Sequence, residues 1–366
     1  MNTPQVSDIS EQNNSLTCKF DNINVSIINA IRRTILSDIP IIVFRTSPYE
    51  ENLANIITNS SRFNNEIIKQ RLSCIPIHIN DLSIPYNNYE VIINVSNDSS
   101  QITYVTTADF KIKDITNDTF IDENEVKKIF PPNKITNDYI QFLRLRPKLS
   151  ENLPGESINI SAKMSIGTAK ENGMFNAVYI CSFSNRQDPV KIEEEWNKKQ
   201  TELKSSGMND TDILEYKTNW LILDAQRYYI EDAFEFTIKS LGIYTPTVLI
   251  TKACDIINNQ LNEISQGKGF NVDVNTNNTM INCFDIVFAD EDYTIGKVLE
   301  YILYTNYYIN TSVINYVSFY KSHPHNLEGI LRVAFRNEVE TTAVIQFLTT
   351  ACTEGIQIFE AIKNQF

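Results

Sequence analysis

The sequence predicts an α+β protein: two copies of one strand–helix module form an intramolecular pseudo-dimer, and a mixed α/β domain is inserted in the first copy. Three observations carry this. Both ends of the chain alternate short apolar runs with stretches of helical apolar periodicity. The middle, residues 47–223, is heterogeneous, and residues 265–279 are polar and rich in Gly and Asn. The expected divisions are therefore 15–46 with 224–264 for the first module, 47–223 for the insertion, 265–279 for a linker and 280–366 for the second module.

Residues 16–20 read as a strand that enters a helix over 24–40, with Asn22 or Asn24 as its cap. At about 100° per residue, Val25, Ile28, Ile31, Ile35, Leu36 and Ile39 share one broad face. Arg32 lies inside that face, with Asn29 and Arg33 at its edge. An unpaired buried charge is costly. Either Arg32 meets a carboxylate or carbonyl, across an interface, or it snorkels to water along its own stem. Pro40 ends the helix, and the β-branched run 41–44 reads as a strand.

In the middle region a helix is expected over 64–72, and strands over 90–95, 102–105 and 157–165. Residues 191–219, dense in Glu and Lys, read as exposed helices around a turn at 205–209. The simple alternation then returns with a strand at 233–238. Pro246 opens a helix to Ile264, at the position Pro favours. After the linker come a strand (281–288), a helix (293–304), two strands (314–320 and 329–335) and a final helix (339–363). Two modules that each expose a long amphipathic helix would bury them against each other. The expected contact sets Leu249, Ile256, Ile257 and Leu261 against Phe347, Leu348, Ala351 and Phe359.

Composition bounds the function. The net charge of −13 argues against broad direct contact with phosphate backbones, so DNA and RNA would be met only indirectly. The polar start of the chain has no apolar signal region, and no apolar run is long enough to span a bilayer. The six cysteines have no metal-ligand spacing, which predicts neither zinc nor an iron–sulfur cluster. His323 and His325 flank Pro324 and read as a turn. Asp292, just before a helix, reads as a cap and not as a magnesium ligand. No catalytic constellation emerges, and the expected cofactor set is none.

Several segments resemble one family in order along the chain. NAIRRTILSDIP (29–40) resembles the N-x-L-R-R-x-L-L-S-x-I-P helix of the α-like RNA polymerase subunits: bacterial α, archaeal D and the third subunit of eukaryotic RNA polymerase II. NNEIIKQRLSCIPI (64–77) and LPGESINISAKMSIGTAKENGMFNAV (153–178) are similar to segments that follow in that family. DEDYTIGKVLEYIL (290–303) and SFYKSHPHNLEGILRVAF (318–335) resemble the eleventh subunit and archaeal L. A single chain joining both resembles the fused form of some large DNA viruses. The chain departs from the pattern at Gln70, Ser73, Tyr293 and Lys297, and it lacks the family's metal-binding cysteine cluster.

The resemblance implies a non-catalytic assembly platform of a DNA-directed RNA polymerase, on which the two largest subunits dock. Small subunits like the tenth and twelfth of the eukaryotic enzyme would sit beside it. It implies that Asn29, Arg32, Arg33, Glu66 and Arg71 face a large subunit, and that Asp292, Thr294, Gly296, His323 and Pro324 are structural positions of the motifs. The implied location is intracellular; for a virus it would be the host cytoplasm and the virion. The rival readings are a free α+β protein-binding adaptor and, more weakly, a stand-alone nucleic-acid enzyme.

Overall fold

The computed structural model describes residues 3–148, 150, 154–274 and 280–366. The chain begins β1 (Gln5–Gln12), β2 (Ser15–Asp21), α1 (Val25–Ser37), β3 (Ile41–Phe44), β4 (Ala54–Asn59), α2 (Asn65–Ser73), β5 (Tyr89–Ser96), β6 (Thr103–Thr106) and β7 (Phe110–Asp114). It continues β8 (Thr119–Phe120), α3 (Glu123–Ile129), β9 (Gln141–Leu145), β10 (Ser157–Gly167), β11 (Val178–Gln187), α4 (Pro189–Ser205), α5 (Asp210–Ile222), β12 (Tyr229–Ser240) and α6 (Pro246–Ser265). The last part is β13 (Phe270–Val274), β14 (Cys283–Phe288), α7 (Tyr293–Leu303), β15 (Ile314–Tyr320), β16 (Gly329–Phe335) and α8 (Thr341–Lys363). These form two compact units. One takes the chain up to Thr34, then Ile180–Lys239 and everything from Ile250 on; the other takes Ile35–Tyr179 and Ser240–Leu249.

The first unit is built on two four-stranded sheets with one topology. Their strand orders are β1-β2-β12-β11 and β13-β14-β16-β15. In each, a hairpin leads into a helix, an outer strand and an inner strand follow, and a second helix closes the module. The inner pairs are antiparallel, with Phe20 opposite Phe234 and Ile286 opposite Leu331. Helices α1 and α7 repeat one burial pattern position for position from Val25 and from Tyr293. Ile27, Ala30, Ile31 and Ile35 in one helix thus correspond to Ile295, Val298, Leu299 and Leu303 in the other, all buried.

The second unit centres on β10, which pairs with β5 on one side and with β3 and β4 on the other. Phe44, Ile93, Phe110, Phe142 and Ile160 are among its core residues. A separate ribbon joins β6 to β9.

Two expectations are corrected. The insertion does not run over 47–223. β3 belongs to the insertion's sheet, and β11 is the fourth strand of the first module, the counterpart of β15. The insertion therefore lies between α1 and β11, and the hairpin α4–α5 fills the connection from β11 to β12. Chain order alone made β3 the next strand of the module. Its four residues are all buried, as in a strand covered on both faces, whereas β11 is an edge strand that shows mostly exposed residues. Secondly, the linker is shorter than 265–279. Phe270–Val274 is a strand paired along its length with β14, an exposed edge whose polar residues mask its period. What tethers the modules before it is residues 266–269, where Gly267 and Gly269 take the left-handed φ values of 80° and 79°. The rest of the expected linker, residues 275–279, lies outside the described residues. The polar start of the chain, for which no element was expected, holds β1, an exposed edge strand on β2.

Candidate functional site

The helices α6 and α8 meet. A Cβ on Gly355 of α8 would lie 2.9 Å from the Leu261 side chain of α6 and 3.3 Å from that of Ile302. Only a glycine leaves α8 this close to its neighbours. Ile257 and Leu261 of α6 and Leu348, Ala351 and Phe359 of α8 are all buried. Polar pairs flank the apolar contact. The Asn258 amide donates to Glu360 at 2.8 Å, and Lys363 reaches Asp255 at 2.5 Å. Beyond α8 the chain end is fixed on the first module's sheet. Gln365 accepts from the Val6 amide at 2.7 Å and donates to the Pro4 carbonyl at 2.9 Å, and the Phe366 and Phe20 rings lie 6.1 Å apart.

A second contact joins α1 to α7. Arg33 donates to the Asp292 carboxylate at 2.7 Å and to the Thr294 hydroxyl at 2.8 Å. Asp292 is also the N-cap of α7, its other oxygen accepting from the Tyr293 amide at 2.7 Å. That end of the helix favours a carboxylate, and the arginine gives it a second partner. At the far end of α7, Tyr301 lies within electrostatic reach of Asp232: burial first, then that carboxylate, holds its hydroxyl above the usual tyrosine range. Asp232 in turn accepts from Asn24, whose side chain caps α1 through the Ser26 amide at 2.9 Å. Arg33 and Tyr301 are equivalent positions in the repeated burial pattern. Each helix thus presents the same late position to the start of the other module's helix, as a self-complementary contact does.

The remaining expected residues divide. Asn29 and Arg32 are brought together: the Arg32 guanidinium, half-buried, donates to the Asn29 side-chain carbonyl at 2.9 Å, one turn back. Arg33, expected to face outward to a large subunit, is engaged inside the chain. So is Arg71, which donates to the Phe142 and Gln141 carbonyls of β9 at 2.7 and 2.9 Å. Glu66 is exposed in the first turn of α2. The Phe347 ring lies 4.6 Å from that of Tyr307 and 5.3 Å from that of Phe335 in its own module. Leu249 is fully buried, whereas Ile256 is only half so. Gly296 is required by packing: a Cβ there would lie 2.3 Å from the Phe319 ring. His323 and Pro324 are exposed in the turn between β15 and β16. Among the described residues no cluster of three or more His, Cys, Asp or Glu could hold a metal ion, and no helix is long and apolar enough to cross a membrane. Burial pushes the thiols of Cys18, Cys181, Cys254 and Cys352 up to about 12.

The sequence model of the RNA polymerase Rpb3/Rpb11 dimerisation domain matches residues 17–261, more than half of the chain. The chain belongs to that family. It is an α-like RNA polymerase subunit, with a role in assembling the polymerase with its other subunits. No curated protein sequence matches it. The family match runs from β2 to Leu261 in the last part of α6 and so covers α1, the insertion and the α6 side of the helix contact described above. Sequence reading passed over the polar members of this contact, Asp255, Asn258, Glu360 and Lys363. Apolar periodicity selects against such residues, and their pairing across helices leaves no local signal.

Proposed function

We propose that the chain is the non-catalytic assembly platform of a multisubunit DNA-directed RNA polymerase, a pseudo-dimer within one polypeptide on which the two largest subunits dock. The observation that carries this is the repeated topology with matching helices α1 and α7, which makes the second module a counterpart of the first. Family membership supplies the assembly role. Asn29, Arg32 and Glu66 are the residues offered to a large subunit, because Arg33 and Arg71 find their acceptors in other elements of the chain, whereas Arg32 and Asn29 bond each other on one helix. Arg32 reaches no carboxylate among the described residues, although it sits half-buried beside an apolar stripe. Small subunits like the tenth and twelfth of the eukaryotic enzyme, an intracellular location and, in a viral setting, the host cytoplasm and virion go with this reading.

Affinity capture of the tagged chain, read by mass spectrometry, should recover two large chains in equal amounts. Arg32→Ala should melt as the parent does but recover less of them, since leaving one partner of a buried pair unmatched costs about 3–5 kcal/mol. Capture without any large chain overturns the reading. So does an Arg32→Ala protein that melts early while its folded fraction assembles normally.

A further inference from the structure

The insertion contains a cavity apart from the α6–α8 and α1–α7 contacts. It has a volume of about 290 Å³ and lies between β7, β8 and α3, with Tyr139 on its wall. Phe110, Ile121, Val126 and Phe130 make it apolar. Its one deep polar group is Thr107, which is 1% exposed and whose hydroxyl has no hydrogen-bond partner. The Thr107 amide is already satisfied by the Ile140 carbonyl at 3.0 Å, so the orphan is the side chain alone. A buried hydroxyl without a partner is destabilising, and a ligand carrying one polar atom would satisfy it.

The rim says what kind of ligand. Phe120 stands at the lip, 58% exposed, and the nearby Ile140 is 42% exposed. Lys111 and Lys127 also line the opening and form no ion pair among the described residues; Glu123 is the one carboxylate there. Two lysines against one carboxylate give the lining of this opening a positive balance, in a chain whose net charge is −13. The volume decides the size. A dry cavity of about 150 Å³ takes a single benzene-sized ring, and drug-sized ligands need about 300–1,000 Å³. This cavity suits one fused or substituted ring.

We propose that this cavity seats an aromatic side chain with one polar atom, an indole or a phenol, from an acidic segment of a partner protein. The ring fills the space between Phe110, Val126 and Phe130, its N–H or O–H meets the Thr107 hydroxyl, and flanking carboxylates meet Lys111 and Lys127. This site is independent of the α6–α8 contact and of the polymerase reading.

The test uses the full chain with labelled methyl groups and four probes: indole, naphthalene, and the blocked tripeptides Asp-Trp-Asp and Lys-Trp-Lys. Indole should shift the methyl resonances of Thr107, Ile121 and Val126. Asp-Trp-Asp should bind at least several-fold more tightly than Lys-Trp-Lys, with the difference lost in Lys111→Ala/Lys127→Ala. Thr107→Val should weaken indole several-fold and leave naphthalene unchanged. Because Thr107 is buried, Phe120→Ala at the exposed lip gives a second variant, and it should weaken every probe without changing the melting temperature. No methyl shift at millimolar indole overturns the site. Equal affinity for the two tripeptides overturns the acidic partner, and equal losses of indole and naphthalene in Thr107→Val overturn the role of the hydroxyl.

Discussion

Leu261→Asp, combined with a cut between the modules, tests what holds the two halves together. Leu261 is fully buried on α6, with its side chain against Gly355 of α8. Losing the buried leucine costs about 1.5–3 kcal/mol. Keeping the new carboxyl in the same dry contact at pH 7 requires protonating it about three units above its ordinary pKa, which costs about 4 kcal/mol. Together these approach about 6 kcal/mol, or roughly four powers of ten in an association constant. The cut belongs at Lys268, not further on, because β13 is hydrogen-bonded to β14 and must stay with the second module. A protease site inserted there should yield two fragments from the parent chain that still co-elute from a sizing column at micromolar concentration. The same cut in Leu261→Asp should release them as separate species. The reasoning is refuted if the parent fragments separate unaided, or if the cut variant still co-elutes.

Three further outcomes follow from single contacts. Arg33→Ala and Asp292→Asn, which keeps the helix cap, should couple by about 0.5 kcal/mol in a double-mutant cycle, since both side chains of the pair are partly exposed; a coupling of zero refutes the link between α1 and α7. Thr34 is fully buried on α1 with an unpartnered hydroxyl, so Thr34→Val should raise the denaturation midpoint, by about 1 kcal/mol of stability; a lower midpoint refutes this. Burial holds the Asp232 carboxyl above its ordinary value. The folded state therefore binds that proton more tightly than the unfolded chain, and stability falls as pH rises from the ordinary carboxylate value through the raised one. Asp232→Asn should flatten this part of the melting-temperature profile; an unchanged slope there contradicts the assignment.

Local pattern was enough for the helices of the two modules and for their inner strands β2, β12, β14 and β16. The 3.6-residue apolar period marked α1, α6, α7 and α8, and Pro246 and Asp292 marked two helix starts, because these signals are written within one turn of chain. The same regularity exposed the repeat of modules and the resemblance to the α-like subunits. Sequence order could not decide which strands share a sheet. β3 and β11 compete for one place beside β12, and only hydrogen bonding between distant strands gives it to β11. Edge strands β1 and β13 were invisible for a related reason: one exposed edge relaxes the demand for alternation that makes an inner strand legible. The partner of Arg33 was likewise a tertiary decision. A charged residue at the edge of a helix face states that it needs an acceptor, but Asp292 is 259 residues away, and nothing in the chain between them fixes that distance before folding.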